Sequence, residues 1–136
     1  MEAYEDGSLE DEVRVLVVDD NFDAAESLAE LLRLNGYRVW TAFTGEEALE
    51  LTTSIRPNCI LFDIRMPGIG GLELARRLRA MYHDEIVLIA ATGSERTSPD
   101  VVEVFDLVDH YFCKPFGATE LEKVLRPLPE KVTVSK

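Results

Sequence analysis

Positive charge is scarce in this sequence. Fourteen Lys and Arg stand against 26 Asp and Glu, a formal charge of −12 over 136 residues. Nucleic-acid binding needs clustered cations to neutralise phosphates. No such cluster occurs, so neither nucleic acid nor an acidic membrane surface is an expected partner. Long apolar runs are missing too. The longest, IVLIAA at 86–91, has six residues, far below the roughly 18–20 that span a bilayer. Only two cysteines occur, Cys59 and Cys113, without a CxxC pair. That excludes a disulfide framework or a zinc site and leaves two buried free thiols as the expectation. The opening residues lack the basic or apolar character of a targeting segment. Residues 1–12 hold six acids and no base, and the expectation is a cytoplasmic protein.

What is present is a globular balance, with 46% hydrophobic and 29% charged residues, sized for one domain. The expected division is an acidic tail at 1–11, one domain at 12–127 and a C-terminal tail at 128–136. Within the domain two kinds of segment alternate. Residues 13–18 (VRVLVV) and 59–62 (CILF) read as buried strands, the first on both faces, and 86–91 (IVLIAA) as a further strand. Residues 38–42 read as a more polar edge strand and 111–113 as the last strand. Helices are expected at 22–34, with Ala25, Leu28, Leu31 and Leu32 inward and Gly36 behind its end. Others are expected at 46–54 after a Thr44 cap, 72–81, 99–107 with Pro99 in the first turn, and 118–126. Five strands alternating with five helices predict a parallel sheet covered on both faces.

Parallel α/β sheets carry their sites beyond the carboxyl ends of the strands. Asp19 and Asp20 follow the first strand, Asp63 the third and Thr92 the fourth, while Lys114 ends the fifth. An aspartate after a strand is usually a helix cap; five polar residues at one rim are a different matter. Three converging carboxylates repel one another, and a hard cation such as Mg²⁺ relieves that repulsion with oxygen ligands. Such a cation can bridge to a phosphoryl oxygen, Lys114 can bind a second and Thr92 can donate to a third. Asp63 is then the candidate nucleophile for an aspartyl phosphate.

With VLVVDD at 15–20, LFDIRMPG at 61–68, Thr92-Gly93 after IVLIAA, and YFCKPF at 111–116, the chain resembles a response-regulator receiver domain of two-component signalling. The resemblance covers roughly residues 12–127. It implies a flavodoxin-like fold, a five-stranded parallel sheet in the order 2-1-3-4-5. It implies that Asp63 accepts a phosphoryl group from a histidine kinase or phosphotransfer protein. Asp19, Asp20, Asp63 and the backbone carbonyl of Arg65 are the implied Mg²⁺ ligands. Thr92 and Lys114 are the implied phosphoryl contacts, Tyr111 the aromatic switch, and Lys114–Pro115 a cis bond. Arg65 and Ser94 occupy positions that tune aspartyl-phosphate hydrolysis in the family. Two departures stand out: Ile69-Gly70-Gly71 lacks the usual Asp, and Asp106 and Leu107 replace the usual Ala-Gly.

Only about ten residues follow Arg126, so a stand-alone receiver acting through protein contacts, or a phosphoryl relay, is expected. On the fourth helix Val101, Val102, Val104, Phe105 and Val108 span an arc of roughly 160°, wider than a minimal apolar stripe. The arc is expected to pack on the sheet. An edge of it is the candidate surface for a downstream protein or second copy, within the face formed by the helix from Pro99 to Leu107, the Tyr111 strand and the helix from Ala118 to Arg126. Three rivals are weaker. A dehalogenase-type phosphohydrolase wants a second Asp where Arg65 stands. A nucleotide or flavin binder wants a Gly-, Ser- or Thr-rich loop where Asp19 and Asp20 stand. A degenerate receiver would not keep the full set of five polar residues. The chain is thus read as a phosphoacceptor signalling protein, not an enzyme.

Overall fold

Strong β-branched runs and amphipathic stripes alternate along the chain, and each run becomes one strand. The computed structural model describes residues 12–93, 98–126 and 128. The strands are β1 (Arg14–Val18), β2 (Arg38–Ala42), β3 (Cys59–Asp63), β4 (Val87–Thr92) and β5 (His110–Cys113); the helices are α1 (Phe22–Leu34), α2 (Gly45–Ile55), α3 (Gly70–Tyr82), α4 (Pro99–Phe105) and α5 (Ala118–Leu125). The strands pair in parallel in one sheet, ordered β2-β1-β3-β4-β5. This is the expected flavodoxin-like arrangement, with β2 at an edge. The acidic tail expected at 1–11 lies outside the described residues. Leu128, one past the expected end of the domain, is buried with the core.

Alternation along each strand divides the core into two layers. Leu16, Val18, Ile60, Phe62 and Leu88 face one side, against Ala48, Leu74, Leu78, Val101 and Val104 of α2, α3 and α4. Val15, Val17, Leu61 and Ile89 face the other, against Ala25, Leu32, Leu121 and Leu125 of α1 and α5. Burial of β1 and β3 on both faces explains their nearly continuous apolar sequence.

Several details differ from the sequence expectation. On α1 the buried stripe is Ala25, Ala29 and Leu32, while Leu31 is exposed. Cys59 is buried and its thiol is pushed far up by burial, but Cys113 is only half-buried. Helix α3 begins at Gly70 rather than residue 72, because the Gly71 amide turns back to the Ile64 carbonyl (3.0 Å). Helix α4 stops at Phe105 rather than Leu107. Its end has no glycine cap; the Leu107 carbonyl instead accepts from Arg79 Nε (2.7 Å). The α4 arc does not pack entirely on the sheet: Val101 and Val104 are buried, whereas Val102 is 49% exposed.

Arg79 is the brace at the amino-terminal ends of the strands. Besides Leu107 it donates to the His83 and Ile86 carbonyls and to Asp109 Oδ2 (2.8 Å), which also accepts the Leu88 amide (2.9 Å). Partial burial raises the Asp109 pKa, but the Leu88 amide and Arg79 outweigh it and hold the carboxyl below its usual value. A lowered carboxylate pKa contributes stability above the unfolded value near 4, lost as pH falls through the folded pKa. Arg79→Met is therefore expected to destabilise the fold by about 2–3 kcal/mol at pH 7. Urea unfolding between pH 7 and pH 3 should show a smaller loss at the acid end.

Candidate functional site

The site forms where the chain direction across the sheet reverses. From β1 the chain runs outward to β2, then returns to β3 on the other side of β1. A crevice at the carboxyl ends of β1 and β3 is the usual consequence. Asp19 and Asp20 follow β1 and Asp63 closes β3. One carboxylate oxygen from each lies within 4.8 Å of the others, with Asp19 buried, Asp63 half-buried and Asp20 exposed.

None of the three is spent as a helix cap. Asn21 caps α1, accepting the Ala24 amide (3.0 Å), while Asp19 Oδ1 accepts the Asn21 amide (3.0 Å). This leaves Asp19 Oδ2 facing Lys114 Nζ at 3.4 Å. The same ammonium donates to Asp63 Oδ2 at 2.9 Å, and the Arg65 amide donates to Asp63 Oδ1 at 3.2 Å.

Burial is the main cause that pushes the Asp63 carboxyl above its ordinary value; Lys114 opposes it and Asp19 adds to it. Burial lowers the Lys114 pKa, but Asp63 and Asp19 together outweigh it, so the ammonium is held above its ordinary value. One ammonium thus serves at least two carboxylates and leaves excess negative charge. An oxygen-only donor set with one exposed member suits a hard cation that keeps some of its water, as Mg²⁺ does. The carboxylates and Lys114 also suit transfer of a phosphoryl group, which needs positioning and charge neutralisation.

Of the other expected residues, Thr92 lies at the same rim. Thr92 is buried at the end of β4, its carbonyl accepting the Lys114 amide (2.8 Å). The Lys114–Pro115 bond is cis, as the resemblance implied. Tyr111 is 46% exposed, its ring stacked on Phe105 of α4 with centroids 4.2 Å apart. Ser94 lies outside the described residues. The Arg65 side chain reaches α4, where it donates to Asp100 Oδ2 (3.2 Å) and Ser98 Oγ (3.0 Å). Nothing in the local sequence signals that contact, because its partners lie more than 30 residues away. Asn21 is not singled out by the sequence reading; the signal that finds it is its place directly before the apolar period of α1.

The loop after β3 also departs from expectation in an explicable way. Gly68 and Gly70 take positive φ (80° and 74°). Ile69 lies against Gly45 so closely that a Cβ there would meet its Cγ1 at 2.5 Å. The segment without the usual Asp thus makes an apolar contact between this loop and the start of α2.

Comparison with known proteins agrees with this geometry. Residues 15–126 match the family described as response regulator receiver domain. The response regulator MprA of Mycolicibacterium vanbaalenii is 39% identical over 121 residues, covering 89% of this chain and 52% of that protein. MprA of Mycobacterium ulcerans is 40% identical over 116 residues, 85% of this chain and 50% of that protein. The chain therefore spans about half the length of these curated relatives. Among solved structures, the response regulator protein TrrA of Thermotoga maritima, in complex with Mg²⁺-BeF, has a TM-score of 0.73 at 36% identity, covering 85% of this chain and 98% of that one. A CheY-like receiver domain protein from Methanospirillum hungatei superposes with a TM-score of 0.82 at 25% identity, over 92% and 99% of the two chains. With the family matched across nearly the whole described body, the chain belongs to the response regulator receiver domains of two-component systems.

Proposed function

We propose that Asp63 accepts a phosphoryl group from a phosphohistidine on a histidine kinase or phosphotransfer protein, in a Mg²⁺-dependent reaction, and that the chain signals by changing its protein contacts. The observation that carries this reading is the position of Asp63: at a strand end, with two more carboxylates within 4.8 Å and an ammonium at 2.9 Å.

Asp63 Oδ attacks phosphorus, a P–O bond forms, the P–N bond breaks, and the electron pair stays on the donor imidazole nitrogen. Asp19, Asp20, Asp63 and the Arg65 carbonyl are the proposed Mg²⁺ ligands. The bound ion supplies charge neutralisation for the carboxylates and the transferring oxygens. Lys114 pairs with one phosphoryl oxygen, and the Thr92 hydroxyl donates to another. As Thr92 moves toward the phosphoryl group, Tyr111 leaves its stack on Phe105 and turns inward, altering the face of α4, β5 and α5. That face, with Val102 and Tyr111 exposed, is the proposed surface for a downstream protein or second copy. The proposed setting is the cytoplasm, and the described residues include no helix long and apolar enough to cross a membrane. The product is one aspartyl phosphate per chain, not turnover of a small substrate.

Peptide mapping after reaction with a small acyl phosphate tests the assignment. The modification is expected on the peptide holding Asp63. Modification of a peptide holding Asp19 and Asp20 instead would overturn it.

A further inference from the structure

Helix α4 is joined to the loop after β3 by an ion pair across a gap. A cleft of about 510 Å³, lined by Arg65, Met66, Leu72, Arg76 and Asp100 among others, separates the loop and α3 from the start of α4. Arg65 crosses it to Asp100 and to Ser98, whose carbonyl accepts the Val102 amide (3.1 Å) in the first turn of α4. A second ion pair, Arg76–Glu103, joins α3 to α4 one turn further on. Both are surface pairs: Arg65 and Asp100 are 51% and 39% exposed, Arg76 and Glu103 49% and 51%. Pairs so exposed are weak and easily exchanged.

Arg65 differs from Arg76 in where it is rooted. Its own amide donates to Asp63 Oδ1 at 3.2 Å, so its side chain begins beside that carboxylate. A phosphoryl group on Asp63 would add charge and three strong acceptor oxygens. A guanidinium binds phosphoryl oxygens in a bidentate fork and prefers them to a solvated carboxylate.

Resting on the reading of Asp63 as phosphoacceptor, we infer that Arg65 is a charge-exchange link between that site and α4. Phosphorylation draws the guanidinium from Asp100 and Ser98 to the phosphoryl group. The first turn of α4 is released, while Arg76–Glu103 and the buried Val101 and Val104 still anchor the helix. Release is thus graded along α4, greatest at Ser98–Asp100, and it adjoins exposed Val102.

Hydrogen exchange of the full chain with and without Mg²⁺ and beryllofluoride, adduct formation being read separately by fluorine resonance, tests this. In the wild type the adduct should speed exchange of the Val102 amide by about three- to fivefold, the scale of a lost surface pair. Arg65→Gln and Asp100→Asn should show that faster exchange without the adduct and no further rise with it. Arg76→Gln should keep the adduct-driven rise. If the wild type forms the adduct without faster exchange, or Arg65→Gln responds as the wild type does, the inference is wrong. If no adduct forms on any variant, the phosphoacceptor reading fails and takes this inference with it.

Discussion

Lys114→Met is expected to destabilise the protein at pH 7 in the absence of divalent cations, and added Mg²⁺ should restore most of the loss. Lys114 reaches Asp63 and Asp19 at 2.9 and 3.4 Å, both side chains being only 12% exposed. Without it three carboxylates within 4.8 Å have no neighbouring ammonium among the described residues. Removing one partner from a buried ion pair costs several kcal/mol. Lys114 is itself more than one-third exposed, so solvent screening reduces the expected loss to about 1–2 kcal/mol.

The pH dependence follows from the same charges. The Asp63 carboxyl is held above its usual value by burial and by Asp19, so repulsion within the cluster acts fully above its folded pKa and fades as it is protonated on acidification. The deficit of Lys114→Met should therefore shrink on acidification. In the wild type the raised Lys114 pKa stabilises the fold below the unfolded value of 10.5, and this contribution is lost as pH rises through the folded pKa. Urea unfolding at pH 7 and pH 3.5, with and without Mg²⁺, checks the account. An equal deficit at both pH values, insensitive to Mg²⁺, would mean that packing of the lysine stem matters and charge does not.

Gly71→Ala is expected to have the largest effect of any single methyl group added near the site. A Cβ at Gly71 would lie 2.6 Å from Ile64 Cα and 3.0 Å from the carbonyl oxygens of Asp63 and Ile64. These are backbone atoms and cannot rotate aside, so the end of β3 must shift. Overpacking of this kind costs about 1–3 kcal/mol, and here the displaced segment carries Asp63. Both stability and the rate of phosphoryl acceptance should fall. Gly70→Ala is the contrast: its φ is +74° but a Cβ there meets nothing within 4 Å. It should cost about 1 kcal/mol through backbone strain and leave acceptance nearly unchanged. Equal acceptance rates for the two variants would show that close packing of Gly71 on Ile64 does not position Asp63.

The fold was legible because its strongest signals are local. The runs at β1 and β3 could be buried only as central strands, and the polar residues after them had to share one rim. Thr44 was legible as a cap and accepts the Glu47 amide (3.0 Å). What escaped the sequence depends on distant partners. Leu31 sits at helical spacing with Leu28 and Leu32, yet neighbouring Ala29 takes the buried place on α1. The end of α4 depends on Arg79, a residue of α3 with no sequence mark distinguishing it from Arg76 or Arg77. Arg65 stood out by its place two residues after Asp63, but its attachment to Asp100 follows from how α4 lies across the cleft. Residue types announced the carboxylate cluster and the lysine; their mutual distances came only with the closed sheet.

Intact-protein mass after incubation with a small acyl phosphate, with and without Mg²⁺, for the wild type and Asp63→Asn, tests the central claim most directly. A single phosphoryl adduct is predicted on the wild type, dependent on Mg²⁺ and absent from a folded Asp63→Asn. An adduct of equal yield on Asp63→Asn, or one formed equally well without Mg²⁺, would contradict the assignment of Asp63 and its carboxylate neighbours.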